Sequence, residues 1–282
     1  MRKIIVTGKN GGLSVAVAEY LRKNGFETEN LGLRGEEWKN CDFSKIDAIV
    51  HLAGLVPKDG VKSDEYYNVN FKLTEKLAEK AKAEGVKQFV YISTMAVYGI
   101  EPSLKRGEGV VYAQTECAPV SDYGKSKLLA EKALEKLKDD RFKVATIRVP
   151  SIYGVGKTEY LKQYGYSFGR LKFIPKAFTD KYKSIISVDN LSRLIYLLVA
   201  NESDGVFCPD DGKISAFDIC RLVMPEKKPS AILGLIVKLL SKSRRVTDYY
   251  GAVCYDESLT DVFNGDYRVR DYETSIKECY EK

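Results

Sequence analysis

Residues 4–14 read IIVTGKNGGLS, in which a short apolar run leads into a turn rich in glycine. Gly8 and Gly11 fall in this turn, between a predicted first strand and a predicted first helix. Glycines at such a turn let the backbone approach a pyrophosphate closely, and the N-terminus of the helix offers free N–H donors. The stretch therefore predicts a dinucleotide-binding turn, whose candidate contacts are Gly8, Asn10, Gly11, Gly12 and Leu13.

Apolar runs alternate with helical patterns through the first half of the chain, as in KIIVT, DAIVHLAG, QFVYIST and KVATIRV with the segments between them. This rhythm is typical of βαβ units and predicts an α/β fold, a Rossmann-like doubly wound parallel sheet with a smaller C-terminal substrate-binding lobe. We expect residues 1–155 to bind the dinucleotide and residues 156–282 to form mainly the lobe. Residues 184–202 should return to the first domain, with a helix from about Val188 to Asn201.

Two positions depart from the usual dinucleotide-binding pattern. The third glycine falls at Ser14, which predicts slightly looser or shifted packing of the first helix on the first strand. The second strand, near FETENLGLRG, has Gly32 where an acidic residue would hydrogen-bond the adenosine ribose of NAD, and Arg34 follows two residues later. Arginine can pair with the 2′-phosphate of NADP, so the pattern leaves both NAD and NADP open.

Residues 121–134 read SDYGKSKLLAEKAL and place Tyr123 four residues before Lys127 in a predicted helix. Side chains at this spacing are neighbours on a helix surface, so we expect the Lys127 ammonium to lie beneath the Tyr123 phenol and to favour its deprotonation. Without such help a tyrosine, whose pKa is ordinarily about 10, is no base at neutral pH. The pair is a candidate for proton transfer.

Composition excludes several other classes of protein. The 282 residues carry 45 basic and 39 acidic side chains, a net charge of +6 without a long basic block, so no nucleic-acid partner is expected. The six cysteines form no CxxC pair, and His51 is the only histidine, which leaves neither a metal site nor a Ser-His-acid triad. We expect His51 to be structural. The strand-like start and the lack of a long apolar run predict a cytoplasmic protein.

Five segments in a fixed order carry a resemblance to a known family: TGKNGG, CDFSKIDAIVHLAG, YNVNFKLTEKLAEKAKAEGVKQFVYISTMAVYG, DYGKSK and IRVPSIYG. Together they resemble the extended short-chain dehydrogenases/reductases, the NAD-dependent epimerases and dehydratases that act on nucleotide sugars. The resemblance covers roughly residues 1 to 200, and ISVDNLSRLIYLL matches the late strand and helix of the family.

The resemblance implies roles for individual residues in binding the cofactor. Asp42 and Phe43 would flank the adenine, and the segment from His51 to Gly54 would run under the ribose and diphosphate. Asn70 matches an asparagine that steadies the backbone near the catalytic strand. The full set of further implied cofactor contacts is Leu52, Ala53, Gly54, Asn70, Ser93, Tyr123, Lys127 and Pro150.

The resemblance also implies the catalytic set. Tyr123 would be the base, Lys127 would tune its phenol and hold the nicotinamide ribose, and Thr94 would hydrogen-bond the reacting oxygen. Ser151 stands where many relatives carry asparagine, and Lys183 where relatives often use arginine against the diphosphate. The implied substrate contacts are Val56, Thr94, Met95, Ala96, Tyr123, Ser151 and Lys183.

Three functions follow from this resemblance. The first is a nucleotide-sugar 4-epimerase, acting on a UDP-hexose or UDP-N-acetylhexosamine for surface polysaccharide. The second is an NADPH-dependent reductase of a nucleotide 4-keto-6-deoxy sugar, which Arg34 and the missing acid favour. The third is a cofactor-binding regulator without turnover, and a homodimer is compatible with all three. Dehydratase chemistry is disfavoured because Met95 follows Thr94 where dehydratases carry an acid pair.

The stretch SAILGLIVKLLSKSRR, residues 230–245, combines apolar residues with Lys242, Arg244 and Arg245. It is too short to span a bilayer, so no stable membrane insertion is expected. The residues Ile232, Leu235, Ile236 and Leu239 recur at helical spacing. We expect this stripe to pack in a groove of the protein; the alternative is that it lies in a membrane interface with its cations toward acidic head groups.

Overall fold

The computed structural model of the chain describes residues 1–154, 161–164 and 169–280. The strands are β1 (Lys3–Thr7), β2 (Glu27–Leu31), β3 (Ala48–His51), β4 (Gln88–Thr94), β5 (Val110–Val111), β6 (Lys143–Val149), β7 (Ser151–Tyr153), β8 (Phe173–Pro175), β9 (Tyr182–Ser187), β10 (Gly205–Phe207), β11 (Gly212–Ser215), β12 (Lys228–Ser230) and β13 (Cys254–Tyr255).

The α-helices are α1 (Gly12–Lys23), α2 (Ser63–Tyr66), α3 (Leu73–Ala83), α4 (Asp122–Leu137), α5 (Val188–Ala200), α6 (Ala216–Val223), α7 (Ala231–Leu239), α8 (Arg244–Tyr250), α9 (Glu257–Thr260) and α10 (Tyr272–Tyr280). A π-helical segment, Tyr67–Lys72, joins α2 to α3. Among the described residues, 3₁₀ turns lie at Glu37–Asn40, Met95–Tyr98 and Val262–Gly265.

The chain divides into two compact units. The first unit comprises Met1–Gly99, Glu116–Val149 and Leu191–Cys208, and the second comprises Ile100–Thr115, Pro150–Asn190 and Pro209–Lys282. The second unit contains a three-stranded sheet in the order β11-β9-β7 and two strand pairs, β12-β8 and β13-β5. Its core includes Tyr153, Ile174 and Ile185 together with Ile219 of α6.

The first unit is built on a six-stranded sheet in the order β10-β6-β4-β3-β1-β2, in which every pairing is parallel. From β1 the chain moves to β2 on one side and then to β3 on the other, so the winding reverses between β1 and β3. Ligands of such sheets bind at the carboxyl ends of the strands at this reversal. The predicted doubly wound α/β fold is therefore confirmed, and the glycine-rich turn after β1 lies at the reversal.

The central strands of this sheet are buried on both faces. All four residues of β3 and all seven of β4 are buried, as a parallel sheet covered by helices requires. Ile49, Phe89 and Tyr91 of these strands pack with Leu77 of α3 and Leu134 of α4 in one hydrophobic cluster. The predicted strands KIIVT, DAIVHLAG, QFVYIST and KVATIRV correspond to β1, β3, β4 and β6.

The expected packing of the apolar stripe in residues 230–245 is wrong. The helix is present as α7, but Ile232, Leu235, Ile236 and Leu239 are all exposed to solvent. The face that is buried carries Gly234 instead. No helix in the described ranges combines the length and apolar character that a membrane span needs.

Candidate active site

The glycine-rich turn is closed by a serine. Ser14 is buried, and its hydroxyl lies within hydrogen-bonding distance of the carbonyl oxygens of Gly8 and of Gly11, the latter at 2.8 Å. The looser packing that was expected at Ser14 is therefore unnecessary, because the hydroxyl is accommodated by the carbonyls of the turn. Helix α1 begins just after Gly11 and has no acidic residue in its first turn, so its positive end is free for an anion.

Lys9, a basic residue of the glycine-rich turn, lies beside Gly32 at the end of β2. A Cβ built onto Gly32 would be 3.6 Å from the Cβ of Lys9. Lys9 and Arg34 are both exposed, and neither makes an ion pair with a residue that the structure describes. Sequence reasoning missed Lys9, although it stands inside the quoted TGKNGG motif. The end of β2 therefore has Lys9 beside Gly32 and an exposed Arg34 two residues further along the chain, where an acidic residue would contact an adenosine ribose.

Asp42 and Phe43 differ in what they can offer to an adenine. The Asp42 carboxylate accepts a hydrogen bond from the Ser44 N–H, which lowers its pKa. The Phe43 ring is fully buried in the hydrophobic core, and its main-chain N–H donates to the Glu84 carboxylate at 2.7 Å. Burial thus excludes an adenine contact by the Phe43 ring and leaves Asp42 as the accessible member of the pair.

His51 is structural, as its place in an apolar strand suggested. Thr7 Oγ1 accepts from the Leu52 and Ala53 N–H groups, so its own hydrogen is directed at His51 Nδ1, 2.9 Å away. His51 Nε2 lies 2.9 Å from Thr74 Oγ1, and this hydroxyl donates to the Asn70 carbonyl oxygen. These bonds assign the proton to Nε2. Burial, with the nearby Lys127 charge, lowers the pKa of His51 to about 3, so the ring is neutral.

Asn70 fastens the segment after β3 to helix α4. Its Oδ1 accepts from the Leu55 N–H at 2.7 Å, and its Nδ2 donates to the Leu55 carbonyl at 3.0 Å and to Ser126 Oγ at 3.2 Å. The amide is therefore occupied by the protein, and Asn70 holds the backbone next to Gly54. A Cβ on Gly54 would lie 2.9 Å from Asn70 Oδ1 and 3.5 Å from Lys127 Nζ.

Thr94 ends β4 and begins the 3₁₀ turn Met95–Tyr98. Its Oγ1 accepts a hydrogen bond from the Ala96 N–H at 3.1 Å, which leaves its own hydrogen free to donate. The turn is pressed against the start of α4, since a Cβ on Gly124 would lie 2.7 Å from the Ala96 carbonyl oxygen. Glycine in DYGKSK is thus needed to bring the tyrosine helix close to Thr94.

Tyr123 lies in the first turn of α4, which Ser121 caps by accepting the Gly124 N–H. Burial raises the pKa of Tyr123 to about 12; the Thr94 hydroxyl opposes this rise, and the neighbouring Tyr66 adds to it. The Tyr66 ring meets the Tyr123 ring edge to face at 6.1 Å. Burial therefore keeps the phenol protonated at neutral pH, and the expectation that Lys127 makes it more acidic stays a prediction.

Lys127 is almost completely buried, at 3% exposure. Its Nζ donates to the Ile92 carbonyl oxygen at 2.8 Å and lies 4.7 Å from the centre of the Tyr91 ring. Burial lowers the pKa of Lys127 to about 7, while the Glu131 carboxylate one turn along α4 raises it. The other two of its three N–H donors have no carbonyl or carboxylate acceptor among the described residues, which leaves them for a ligand hydroxyl.

A buried ion pair supports this arrangement from behind, and sequence reasoning missed it. Glu131 receives a forked contact from the Arg148 guanidinium, with the shortest N–O distance 2.7 Å, and a hydrogen bond from the Ser93 hydroxyl. Arg148 also donates to the Tyr98 hydroxyl at 2.9 Å. Ser93 is thereby turned toward Glu131 rather than toward a cofactor. The signal was the repeated spacing of four, from Tyr123 to Lys127 to Glu131.

The remaining predicted contacts to the substrate and the cofactor are divided between the two units. In the first unit Val56 is exposed, Met95 is buried and Ala96 is partly buried. In the second unit Pro150 and Ser151 are partly buried at the start of β7. Lys183 in β9 is buried; its Nζ donates to the Asp248 carbonyl at 2.8 Å, and burial lowers its pKa to about 8. No cluster of acid, cysteine or histidine side chains that could hold a metal occurs in the described part of the chain.

The first unit fits a dinucleotide. The helix end after Gly11 is open to a phosphate, and the backbone at Gly54 runs beside the buried amine of Lys127 with no Cβ between them. Lys127 keeps donors for hydroxyl groups such as those of a ribose. These features lie at the carboxyl ends of β1, β3 and β4, where such sheets bind their ligands.

Comparison with known proteins agrees with this geometry. Residues 4–165, more than half of the chain, match the model of the NAD-dependent epimerase/dehydratase family. UDP-glucose 4-epimerase of Vibrio cholerae is 33% identical over 238 residues, which is 75% of this chain and 69% of that protein.

Solved structures share the fold over nearly the whole chain. UDP-N-acetylglucosamine 4-epimerase from Bacillus cereus superposes with a TM-score of 0.74 at 18% identity, covering 100% of this chain and 99% of its own. A dTDP-4-dehydrorhamnose reductase from Clostridium acetobutylicum gives 0.72 at 19% identity, covering 99% and 98%. At these identities the likeness establishes the fold.

Replacing Tyr123 with Phe is expected to reduce turnover at least a thousandfold and to change cofactor affinity less than threefold, because only the ionisable oxygen is lost. Lys127→Met should lower both turnover and cofactor affinity, since the buried amine would hold the cofactor as well. Steady-state assays and cofactor titration measure the two effects, with Tyr112→Phe and the exposed Lys125→Met as controls. Turnover of Tyr123→Phe within a few-fold of the parent would disprove the assignment.

His51 should make the protein sensitive to acid. Its folded pKa of about 3 lies below the ordinary 6.5, so only the unfolded chain takes up the proton as the pH falls through 6.5. Protonation of His51 in the unfolded chain therefore lowers the free energy of unfolding by about 2 kcal/mol between pH 7.5 and pH 5. Urea unfolding of the parent and of His51→Gln at both pH values isolates this loss, because the chain has no other histidine. Equal losses in both proteins would contradict the prediction.

Proposed function

Because the chain belongs to the NAD-dependent epimerase/dehydratase family, we propose that it inverts the configuration at C4 of a nucleotide sugar. The proposed substrate is a UDP-hexose or a UDP-N-acetylhexosamine, and the product would serve surface polysaccharide synthesis. The similarity to UDP-glucose 4-epimerase of Vibrio cholerae supports the choice of a UDP-sugar.

The observation that carries this proposal is the meeting of Thr94, Tyr123 and Lys127 in the first unit. Thr94 ends the central strand β4, Gly124 brings the start of α4 against the turn after it, and Lys127 Nζ is bonded to β4 two residues before Thr94. Thr94 is hydrogen-bonded to the Tyr123 phenol, and Lys127 follows Tyr123 by one turn of α4. The set would offer a proton acceptor, a hydroxyl donor and a buried amine to one ligand. A module that only binds a cofactor would not require all three.

The protein's own groups would handle the proton of the C4 hydroxyl. Tyr123, as phenolate, accepts this proton when the hydroxyl is oxidised and returns it when the 4-keto group is reduced. Thr94 donates a hydrogen bond to the same oxygen, because the bond that it accepts from the Ala96 N–H leaves its hydroxyl hydrogen available. When bound, NAD supplies the acceptor and the donor of the hydride at C4 and, in its oxidised form, a positive charge.

Burial explains why the phenol needs help before it can act. Tyr123 with a pKa of about 12 is protonated at neutral pH, and Lys127 with a pKa of about 7 is only partly charged. A neighbouring carboxylate, Glu131, favours the charged form of the lysine. We propose that hydroxyl and charge contacts from bound ligands shift both groups toward the phenolate and ammonium pair, so that proton transfer begins only in the assembled complex.

The purified protein is expected to convert UDP-glucose or UDP-N-acetylglucosamine to an equilibrium mixture of C4 epimers with catalytic NAD and no net change in its redox state. Proton NMR of the anomeric signals in deuterated water measures this, and C4 should gain no deuterium because the hydride returns. Tyr123→Phe is the inactive control. Stoichiometric oxidation of reduced cofactor by a 4-keto sugar, without epimerisation, would contradict the proposal.

That contrary result would identify the second candidate, an NADPH-dependent reductase of a nucleotide 4-keto-6-deoxy sugar. Lys9 beside Gly32, the exposed Arg34 and the absence of an acid at the end of β2 favour it, since two cations suit a 2′-phosphate. Gly32→Asp with Arg34→Ala should weaken the binding of NADPH at least tenfold relative to that of NADH if these positions contact the 2′-phosphate. The exposed pair Lys76→Ala and Lys136→Ala is the control, and an unchanged ratio would assign Arg34 to the solvated surface.

A further inference from the structure

Helix α7 in the second unit presents an uncovered apolar face. Ile232, Leu235, Ile236 and Leu239 occupy positions i, i+3, i+4 and i+7, so they form one stripe. Their exposed fractions are 75%, 60%, 47% and 75%, and Leu240 beyond the helix end is 56% exposed. Most folded proteins expose single apolar residues rather than a continuous stripe of this kind.

The opposite face of α7 fixes the stripe in this outward direction. Gly234 is packed so closely on the chain after β8 that a Cβ there would lie 2.1 Å from the Lys176 carbonyl oxygen. Val237 packs against the core of the second unit. Ser230 caps the helix by accepting the Leu233 N–H, and its own carbonyl accepts the Lys176 N–H at 3.0 Å. The helix is anchored on one side, so the leucines cannot rotate inward.

Cations surround the stripe. Lys238, Lys242 and Arg245 are exposed on or just after α7, and none of them makes an ion pair with a described residue. Arg244 is paired with two carboxylates, Glu101 and Asp248, so this group of three subtracts one charge from the three free cations. The rim of the apolar face is therefore positive.

A basic cavity adjoins the same face. It has a volume of about 640 Å³ and is bounded on one side by Ala231, Leu235 and Lys238 of α7. Its other lining residues include Arg106, Lys176 and Lys181, and Asp180 is the one carboxylate among them. Asp180 lies 3.6 Å from Lys181, whereas Arg106 and Lys176 make no ion pair within the described ranges. The cavity thus has unbalanced positive charge directly beside an apolar edge.

We propose that this face docks on the surface of an anionic phospholipid membrane. The stripe would enter the boundary between head groups and acyl chains, and the cations with the neighbouring cavity would receive lipid phosphates. The nine residues of α7 rise only about 14 Å at 1.5 Å each, so the helix would lie in the interface rather than cross the hydrocarbon core of about 30 Å.

Charge decides between a membrane and a second copy of the chain. In a twofold dimer the same patch faces itself, so the net positive rim of one copy, with Lys238, Lys242 and Arg245, would be brought against the net positive rim of the other. An anionic bilayer instead supplies negative charge at the rim and apolar volume at the centre. This match holds whether or not the enzyme is a C4 epimerase, so the inference stands apart from the proposed function.

Vesicle flotation with the full-length protein tests the proposal. At 0.1 M salt the protein should float with vesicles of phosphatidylcholine containing 30% phosphatidylglycerol, and at least tenfold less should float with phosphatidylcholine alone or in 1 M salt. Ile232→Gln with Leu239→Gln, and separately Lys238→Glu with Lys242→Glu, should each reduce flotation at least tenfold. All four side chains are exposed, so these variants should keep the parent's unfolding temperature.

Matched controls make comparable changes, apolar to Gln and Lys to Glu, elsewhere on the surface. Val206→Gln with Val269→Gln changes two exposed apolar side chains, and Lys76→Glu with Lys136→Glu makes the same change in net charge; both should float like the parent. Absence of flotation with the anionic vesicles would overturn the proposal, as would equal loss in the control variants. Sedimentation that shows a dimer abolished by Ile232→Gln with Leu239→Gln, without flotation, would assign the face to self-association.

Discussion

The burial of the Lys127 amine is the constraint around which the first unit is organised. A lysine that loses its water must find replacement contacts, and here they come from the Ile92 carbonyl and the Tyr91 ring of the central strand β4. The Glu131 carboxylate supplies opposite charge one turn away, and Arg148 balances that carboxylate in turn. Breaking such a buried pair typically costs about 3–5 kcal/mol, so the ionic set holds α4 in one position on β4 and β6.

A second set of hydrogen bonds connects the end of β1 with the segment after β3 and with helix α4. Thr7 at the end of β1 contacts His51, which contacts Thr74, whose hydroxyl bonds the Asn70 carbonyl; the Asn70 amide then reaches Leu55 and Ser126 of α4. The glycine-rich turn, the segment at Gly54 and the helix of Tyr123 are thus linked by buried hydrogen bonds. A connected set of buried hydrogen bonds such as this one holds the groups of a site in fixed orientations before a ligand binds.

Much of this could be predicted from the sequence, because it depends on local spacing. Apolar runs alternating with helical patterns gave the strands and helices of the sheet, and the step of four residues placed Tyr123 and Lys127 on one helical face. The properties that depend on burial and on tertiary packing could not be predicted from the sequence. Desolvation raises the pKa of Tyr123, and no residue spacing reports how deeply a side chain is buried. The partners Arg148 and Lys9 reach their places only through strand pairing. In α7 the period identified the stripe, but the close contact at Gly234 decided which side faces the core.

The central claim is that Lys127 is a desolvated amine, and the direct measurement is its own titration. Carbon-13 NMR of protein labelled at the lysine ε-carbons and freed of nucleotide follows each amine, with Lys127→Met and Lys183→Met identifying the resonances of these two buried lysines. One resonance should titrate near pH 7 and disappear in Lys127→Met, distinct from Lys183, which should titrate near pH 8. If the Lys127 resonance titrated near the ordinary 10.5, the amine would be hydrated and this account of the site would be contradicted.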